Sequence, residues 1–198
     1  WTAALQEASY VAEKMKKSKE QIAWNREARR IKRIINEEFW NPETGCYNFA
    51  KNADGTFNTV QTILPTVAMY FGLTDPRKAK QCLSNIATDR FSTDCGVRMI
   101  ANDDPMYNPA GYHFGSIWPL FTGWTALAEL KFGLQKEGLK HLTNTLMLCK
   151  KFALGYIPEV LHGERCEPAG VCQHQAWSEA LAVLGMTNSD SLNESTKS

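Results

Sequence analysis

The sequence predicts an all-α protein, a toroid of helical hairpins, on three observations. Apolar residues recur at the helical period along most of the chain. Helix starts fall near residues 1, 59, 116 and 174, a spacing of about 58 residues that marks a repeated supersecondary unit. Connections alternate between short and long, which places every long loop at the same end of the array.

Taken in order, Trp1, Leu5, Ala8, Val11, Ala12 and Met15 share one face and define a first amphipathic helix over residues 1–17. Ala28, Ile31, Ile35 and Phe39 define the second, which Asn41-Pro42 ends. The third runs through Leu64, Val67, Ala68 and Phe71 and stops at Gly72. Asp75-Pro76 is an N-cap followed by a first-turn proline, and it opens the fourth through Ala79, Cys82, Leu83 and Ile86. Ser116 to Phe132 is the fifth, with Leu120, Trp124, Leu127 and Leu130 inward and Gly133 as its stop. Leu139, Leu142, Leu146 and Cys149 make the sixth, and Gln175 to Leu184, ending at Gly185, the seventh. The remaining residues, 187–198, read as a polar tail after a domain of residues 1–186. Helices three and five are almost uncharged, whereas four and six carry Arg77, Lys78, Lys80, Lys136, Glu137 and Lys140. Helices three, five and seven therefore form an inner ring, with the charged helices outside. An open helical solenoid is the plainer alternative.

Composition narrows the function. The 198 residues are 43% hydrophobic and 22% charged, too apolar for a disordered chain. Twenty-two basic residues against twenty-one acidic ones give a net charge of +1, so nothing in bulk electrostatics favours nucleic acid or an anionic membrane. No apolar run reaches the roughly 18 residues of a membrane span. Six cysteines, at 46, 82, 95, 149, 166 and 172, contain no C-x-x-C pair. An even count allows three disulfides, but a domain this large needs no staples, so free buried thiols and a reducing, cytoplasmic compartment are expected. Asn193-Glu194-Ser195 is a glycosylation triplet in a polar tail, weak as a sign of secretion. His113, His141, His162 and His174 lack metal-ligand spacing, so no metal and no cofactor are expected. No G-x-S-x-G, phosphate loop or dinucleotide fingerprint occurs.

Chemistry concentrates in the long loops, over residues 40–58, 87–115 and 151–173, where long loops are usually functional. In the segment from Gly155 to Glu164, Glu159 is flanked by Ile157, Pro158, Val160 and Leu161. A carboxylate in such surroundings is either an acid/base group or a structural ion pair or cap, and local sequence leaves both open. Glu164 and Glu167 flank Arg165, as salt-bridged loop residues do. Tyr112, His113 and Trp118 come at the start of an apolar helix and suit sugars, whose C–H faces pack on rings while hydroxyls take hydrogen bonds, with core packing the alternative for Trp118. Trp124 is expected in the core. Gln175 and Trp177 sit at the start of the last helix, facing the same end.

Three segments together carry a family likeness: Tyr112-His113-Phe114-Gly115-Ser116-Ile117-Trp118-Pro119, then Gly155 through Glu164, then Gln175-Ala176-Trp177-Ser178. In this order they resemble the C-terminal half of the six-hairpin (α/α)6-barrel glycosidases, most of all the amylo-α-1,6-glucosidase (glycogen debranching) group. Asp54-Gly55 with Gln61, and Gly96-Val97-Arg98 with Asp103-Asp104-Pro105, fit more loosely. The resemblance covers roughly residues 1–186 and implies part of an (α/α)6 barrel that hydrolyses α-linked sugars of an oligosaccharide or polysaccharide. It places Glu159 as the general base that activates water, with inversion at the anomeric carbon. It lines the sugar subsite with Tyr112, His113, Trp118, Gln175 and Trp177, and adds Glu164 in the acidic glycine turn.

A whole barrel of this kind has six hairpins, and this chain supplies about three and a half. The resemblance puts the general acid N-terminal to Trp1. Asp103 or Asp104 is the substitute within the chain, although Asn102-Asp103-Asp104-Pro105 reads as a turn. Uncovered inner surface would call for the remaining barrel helices or for self-association. A non-catalytic helical-hairpin protein that binds carbohydrate or a protein partner is the alternative function.

Overall fold

The computed structural model describes residues 1–152, 155–170 and 172–195, with side chains through residue 187. Seven helices lie among them: α1 (Thr2–Lys14), α2 (Ser18–Glu37), α3 (Pro65–Tyr70), α4 (Pro76–Ile86), α5 (Pro119–Lys131), α6 (Gln135–Lys151) and α7 (Ala176–Ser195). Helices α1 and α2 pack as one hairpin and α5 and α6 as another, while α5 also packs against α3 on one side and α7 on the other. That is the expected order of the inner ring. Helix α5 is covered nearly all round, which explains its lack of a polar face. Its one charged interior residue, Glu129, is wholly buried against His141 of α6. Thr66 of α3 and Thr125 of α5 meet through their hydroxyls at 3.3 Å, so the small polar residues of these helices satisfy one another.

Several helix ends follow the reading from sequence. Asp75 accepts hydrogen bonds from the Arg77 and Lys78 amides, at 2.9 and 3.1 Å, and caps α4. Gly72 and Gly133 have positive φ where α3 and α5 stop. Helix α7 is different: it does not end at Gly185 but runs to Ser195, through most of the expected tail, and residues 196–198 lie outside the described residues. Gly185 has a different task. A Cβ there would sit 2.5 Å from Leu142 Cδ1, so the glycine lets α7 lie close on α6.

Each of the first two long loops is stiffened by two-residue antiparallel strands that the helical reading did not anticipate. Strand β1 (Trp40–Asn41) pairs with β2 (Cys46–Tyr47), β3 (Ala50–Lys51) with β4 (Phe57–Asn58), and β5 (Ser92–Thr93) with β6 (Gly96–Val97). Two residues are too few to show a strand's alternation. Isolated bridges then tie the rim together: Thr62 to Ile100, Arg98 to Ile117, Ile117 to Leu161 and Leu161 to Pro168, of which Arg98–Ile117 joins one repeat to the next. The Ile117–Leu161 pair exchanges both backbone hydrogen bonds, at 2.9 and 2.8 Å. Beneath this rim lie Ile63, Met69, Leu83, Ile86, Phe91 and Val97 in one core cluster and Ile117, Leu148, Ile157 and Leu161 in a second. Burying each such side chain contributes about 1.5–3 kcal/mol.

The cysteines need a correction. Cys95 and Cys166 form a disulfide rather than two free thiols, since the bridged loops bring their Cα atoms to 5.8 Å, within the range a disulfide spans. Such bonds persist in oxidising surroundings, so the expected reducing compartment loses its support. Cys46 and Cys82 are buried free thiols as expected, whereas Cys149 is half-buried and Cys172 is exposed.

Candidate active site

The segment around Glu159 is anchored on both sides. Ile157, Val160 and Leu161 are fully buried, and their packing holds the backbone while the Glu159 side chain stays half-exposed. Glu159 N–H donates to the Cys172 carbonyl at 2.9 Å, and Gln175 N–H donates to the Ile157 carbonyl at 3.0 Å. The second bond brings the start of α7 beside the carboxylate, where Gln175 Nε2 lies 3.4 Å from Glu159 Oε1. Tyr112 approaches from the next loop: desolvation of its phenol, together with a hydrogen bond and charge from Glu159, pushes its pKa up. Two neutral donors thus address the carboxylate, and no arginine or lysine among the described residues is ion-paired to it.

The aromatic cluster beside it is built on Trp118. Its indole Nε1–H donates to the Tyr112 carbonyl at 2.7 Å, and the Ser116 hydroxyl donates to the same oxygen at 2.6 Å, closing the loop over the start of α5. The Tyr112 ring meets Trp118 edge-on at 4.6 Å, and the His113 ring stacks on it at 5.1 Å with 12° between planes. Trp118 is only 4% exposed, so it backs the site instead of presenting a face of its own. Tyr112 and His113 are exposed, as their sequence context suggested. Trp124 packs half-buried against Tyr70 and Phe71. Trp177 is exposed on the first turn of α7.

Next to His113 opens an apolar cavity of about 430 Å³, lined among others by Phe49, Met99, Met106, Phe114 and Phe121. Sequence reasoning missed it, because its walls come from the two segments after α2 and α4 together with Phe121 of α5; His113 and Phe114, inside the Tyr-His-Phe-Gly-Ser segment, were the available signal. Glu164 has its own neighbours. Its carboxylate lies 3.5 Å from the Tyr107 hydroxyl and borders a separate polar hollow of about 520 Å³ with Asp89, Ser92, Arg98 and Lys140. The expected loop ion pair forms instead between Arg165 and Glu167, at 3.6 Å. Among the described residues no group of three or more His, Cys, Asp or Glu is placed to hold a metal ion.

Residues 2–178 match the family described as the mannosylglycerate hydrolase MGH1-like glycoside hydrolase domain. The chain belongs to the MGH1-like glycoside hydrolase family. Its fold is that of the six-hairpin (α/α)6-barrel glycosidases. The GH63 mannosylglycerate hydrolase from Thermus thermophilus, solved in complex with glucose, superimposes with a TM-score of 0.71 at 17% identity, over 94% of this chain and 45% of that one. Neutral trehalase Nth1 from Saccharomyces cerevisiae superimposes with a TM-score of 0.66 at 14% identity, over 84% of this chain and 30% of that one. A sialidase gives 0.71 at 16% identity, over 88% and 17%. The chain thus spans less than half the length of these structures. Compared by sequence with curated proteins, it matches none.

Within this MGH1-like chain, the two carboxylates weighed as a general acid are both engaged in the turn. Arg90 grips Asp103 through two hydrogen bonds, at 2.7 and 2.8 Å, and holds its carboxyl below the usual range, so it is a poor proton donor. Asp104 accepts from the Met106 and Gln61 amides, at 2.9 and 3.4 Å. Both belong to the Asn-Asp-Asp-Pro turn that the sequence suggested.

Proposed function

We propose that this chain is the general-base half of an inverting α-glycoside hydrolase, with Glu159 as the base. The observation that carries the reading is the convergence of Tyr112 and Gln175 on a half-buried carboxylate that no arginine or lysine among the described residues ion-pairs. In the reaction, Glu159 takes a proton from a water whose oxygen bonds to the anomeric carbon. The bond from that carbon to the leaving oxygen breaks on the opposite face. The leaving oxygen receives its proton from a second carboxyl roughly 6.5–9.5 Å from the first, supplied by a segment other than those described. Tyr112 and Gln175 orient the base, and Tyr112 and His113 present ring surface to the sugar over the buried Trp118. Trp177 flanks the same end of α7. The apolar patches of the rim suit the remaining barrel helices as a partner.

The finer reading is an α-1,6-linked glucoside as substrate, on the likeness to the amylo-α-1,6-glucosidase group; mannosylglycerate is the competitor that the family's name suggests. The test is Glu159→Gln in the longest natural form of the protein that carries this chain. Turnover of an α-glycoside should fall about 10²–10⁴-fold, the share general base catalysis supplies, while sugar binding survives. Turnover at the wild-type level would reject the assignment. Absence of hydrolysis with every α-glycoside offered would leave a carbohydrate-binding protein instead.

A further inference from the structure

Cys46 and Cys82 come from different parts of the repeat, Cys46 from strand β2 and Cys82 from the middle of α4, 36 residues apart. Their sulfurs lie 2.7 Å from each other, closer than unbonded sulfurs rest in van der Waals contact and a short step from the covalent length of about 2.05 Å. The approach is enforced by the surroundings. Asn85 of α4 donates to the Thr44 carbonyl at 3.1 Å, and a Cβ on Gly45 would meet Gln81 Nε2 at 2.7 Å, so the hairpin turn is clamped onto the helix independently of the sulfurs. Both thiols are sealed in the core, 7% and 0% exposed, beside Tyr47, Leu83 and Ile86. No metal-binding group forms around them among the described residues. The neighbouring rim loops already carry the Cys95–Cys166 bond.

We propose that Cys46 and Cys82 form a second disulfide, fixing the β1–β2 hairpin to α4 in the oxidised protein. The oxidant is a small disulfide such as oxidised glutathione. During folding, while both thiols still meet solvent, the Cys46 thiolate attacks the small disulfide. Its sulfur bonds to one glutathione sulfur and the other glutathione leaves as thiolate. Cys82 then loses its proton to solvent and attacks the Cys46 sulfur, releasing the second glutathione. Two protein thiols are oxidised and one disulfide is reduced to two thiols. With Cys95–Cys166, the loop after α2 becomes tied to α4, and the loop after α4 to the loop after α6. Burial of both sulfurs places bond formation during folding and shields the bond from reductants afterwards.

The experiment is peptide mapping of the protein produced in an oxidising compartment, isolated without reductant and denatured in the presence of an alkylating agent. The expected result is a peptide pair joined through Cys46 and Cys82, with alkylation confined to Cys149 and Cys172. Alkyl groups on both Cys46 and Cys82, or either one joined to a different cysteine, overturns the proposal whatever the state of Cys95–Cys166. A second measurement uses Cys95→Ser to remove the other bond. In that background dithiothreitol should lower the Tm by roughly 5–10 °C and leave a Cys46→Ser, Cys95→Ser protein unchanged. An equal response in both proteins overturns it as well.

Discussion

Replacing His141 by leucine probes a fully buried hydrogen-bonded pair at the centre of the fold. Glu129 of α5 and His141 of α6 are both inaccessible to solvent, and Glu129 Oε2 lies 2.7 Å from His141 Nδ1. His141 Nε2 continues to the Ser92 hydroxyl at 2.9 Å, which also accepts from Lys140 Nζ at 3.0 Å. The second oxygen of Glu129 has no hydrogen-bond partner among the described residues. Burial pushes the Glu129 carboxyl above its ordinary value of 4.5; the hydrogen bond and charge of His141 pull it down by less. Leucine fills about the same volume and removes that polar partner, so an ionised carboxylate would be stranded. Breaking such a pair costs about 3–5 kcal/mol, a fall in Tm of roughly 6–20 °C for a chain of this size.

The sign of the pH effect follows from the same shift. Between the ordinary value of 4.5 and the raised value the folded protein holds a proton on Glu129 that the unfolded chain has already lost, so this contribution is complete below about 4.5 and fades as pH rises through the raised value. Without His141 the carboxyl depends still more on that proton, so the penalty should be larger near pH 8 than near pH 5. Urea unfolding followed by tryptophan fluorescence at both pH values measures it. A penalty below about 1 kcal/mol near pH 8, or one that does not change with pH, would refute the reasoning.

Three further outcomes are expected. Gly185→Ala should cost about 1–3 kcal/mol by urea unfolding, since its Cβ would meet Leu142 Cδ1 at 2.5 Å, and Leu142→Val should recover part of the loss. Trp118→Ala should cost about 3–5 kcal/mol and abolish sugar binding in a titration, whereas Trp118→Phe should lose about 1 kcal/mol with the Nε1–H bond to Tyr112. Cys95→Ser opens a bridge spanning 71 residues and should cost about 4 kcal/mol, a difference that dithiothreitol removes in thermal melts.

Helix positions were legible because each rests on a local signal: the Asp75-Pro76 cap, Gly72 and Gly133 as stops, and the apolar period between them. Gly185 misled because a glycine that ends a helix and one that admits a neighbouring leucine are identical in sequence; only the position of Leu142 separates them. The same applies to Cys95 and Cys166, whose pairing depends on the Ile117–Leu161 bridge that aligns their loops. In the candidate site, Glu159 stood out through its apolar flanks, and Tyr112 and His113 through their place before an inner helix. The burial of Trp118 and the place of Glu164 beside Tyr107 arise from loop packing, which has no periodicity to read. The apolar cavity beside His113 was hidden for the same reason.

The single-residue bridges along the rim bear on how this scaffold can be altered. Surface loops ordinarily tolerate insertions and deletions, but Ile100, Ile117 and Leu161 each hold a fixed partner across the rim. One residue added anywhere between Arg98 and Ile117 has to be absorbed before it reaches either bridge, or the misalignment passes through Leu161 to the side chain two positions earlier. Combinatorial libraries aimed at new sugar preferences would therefore do better to vary side chains at constant loop length than to graft loops of other sizes.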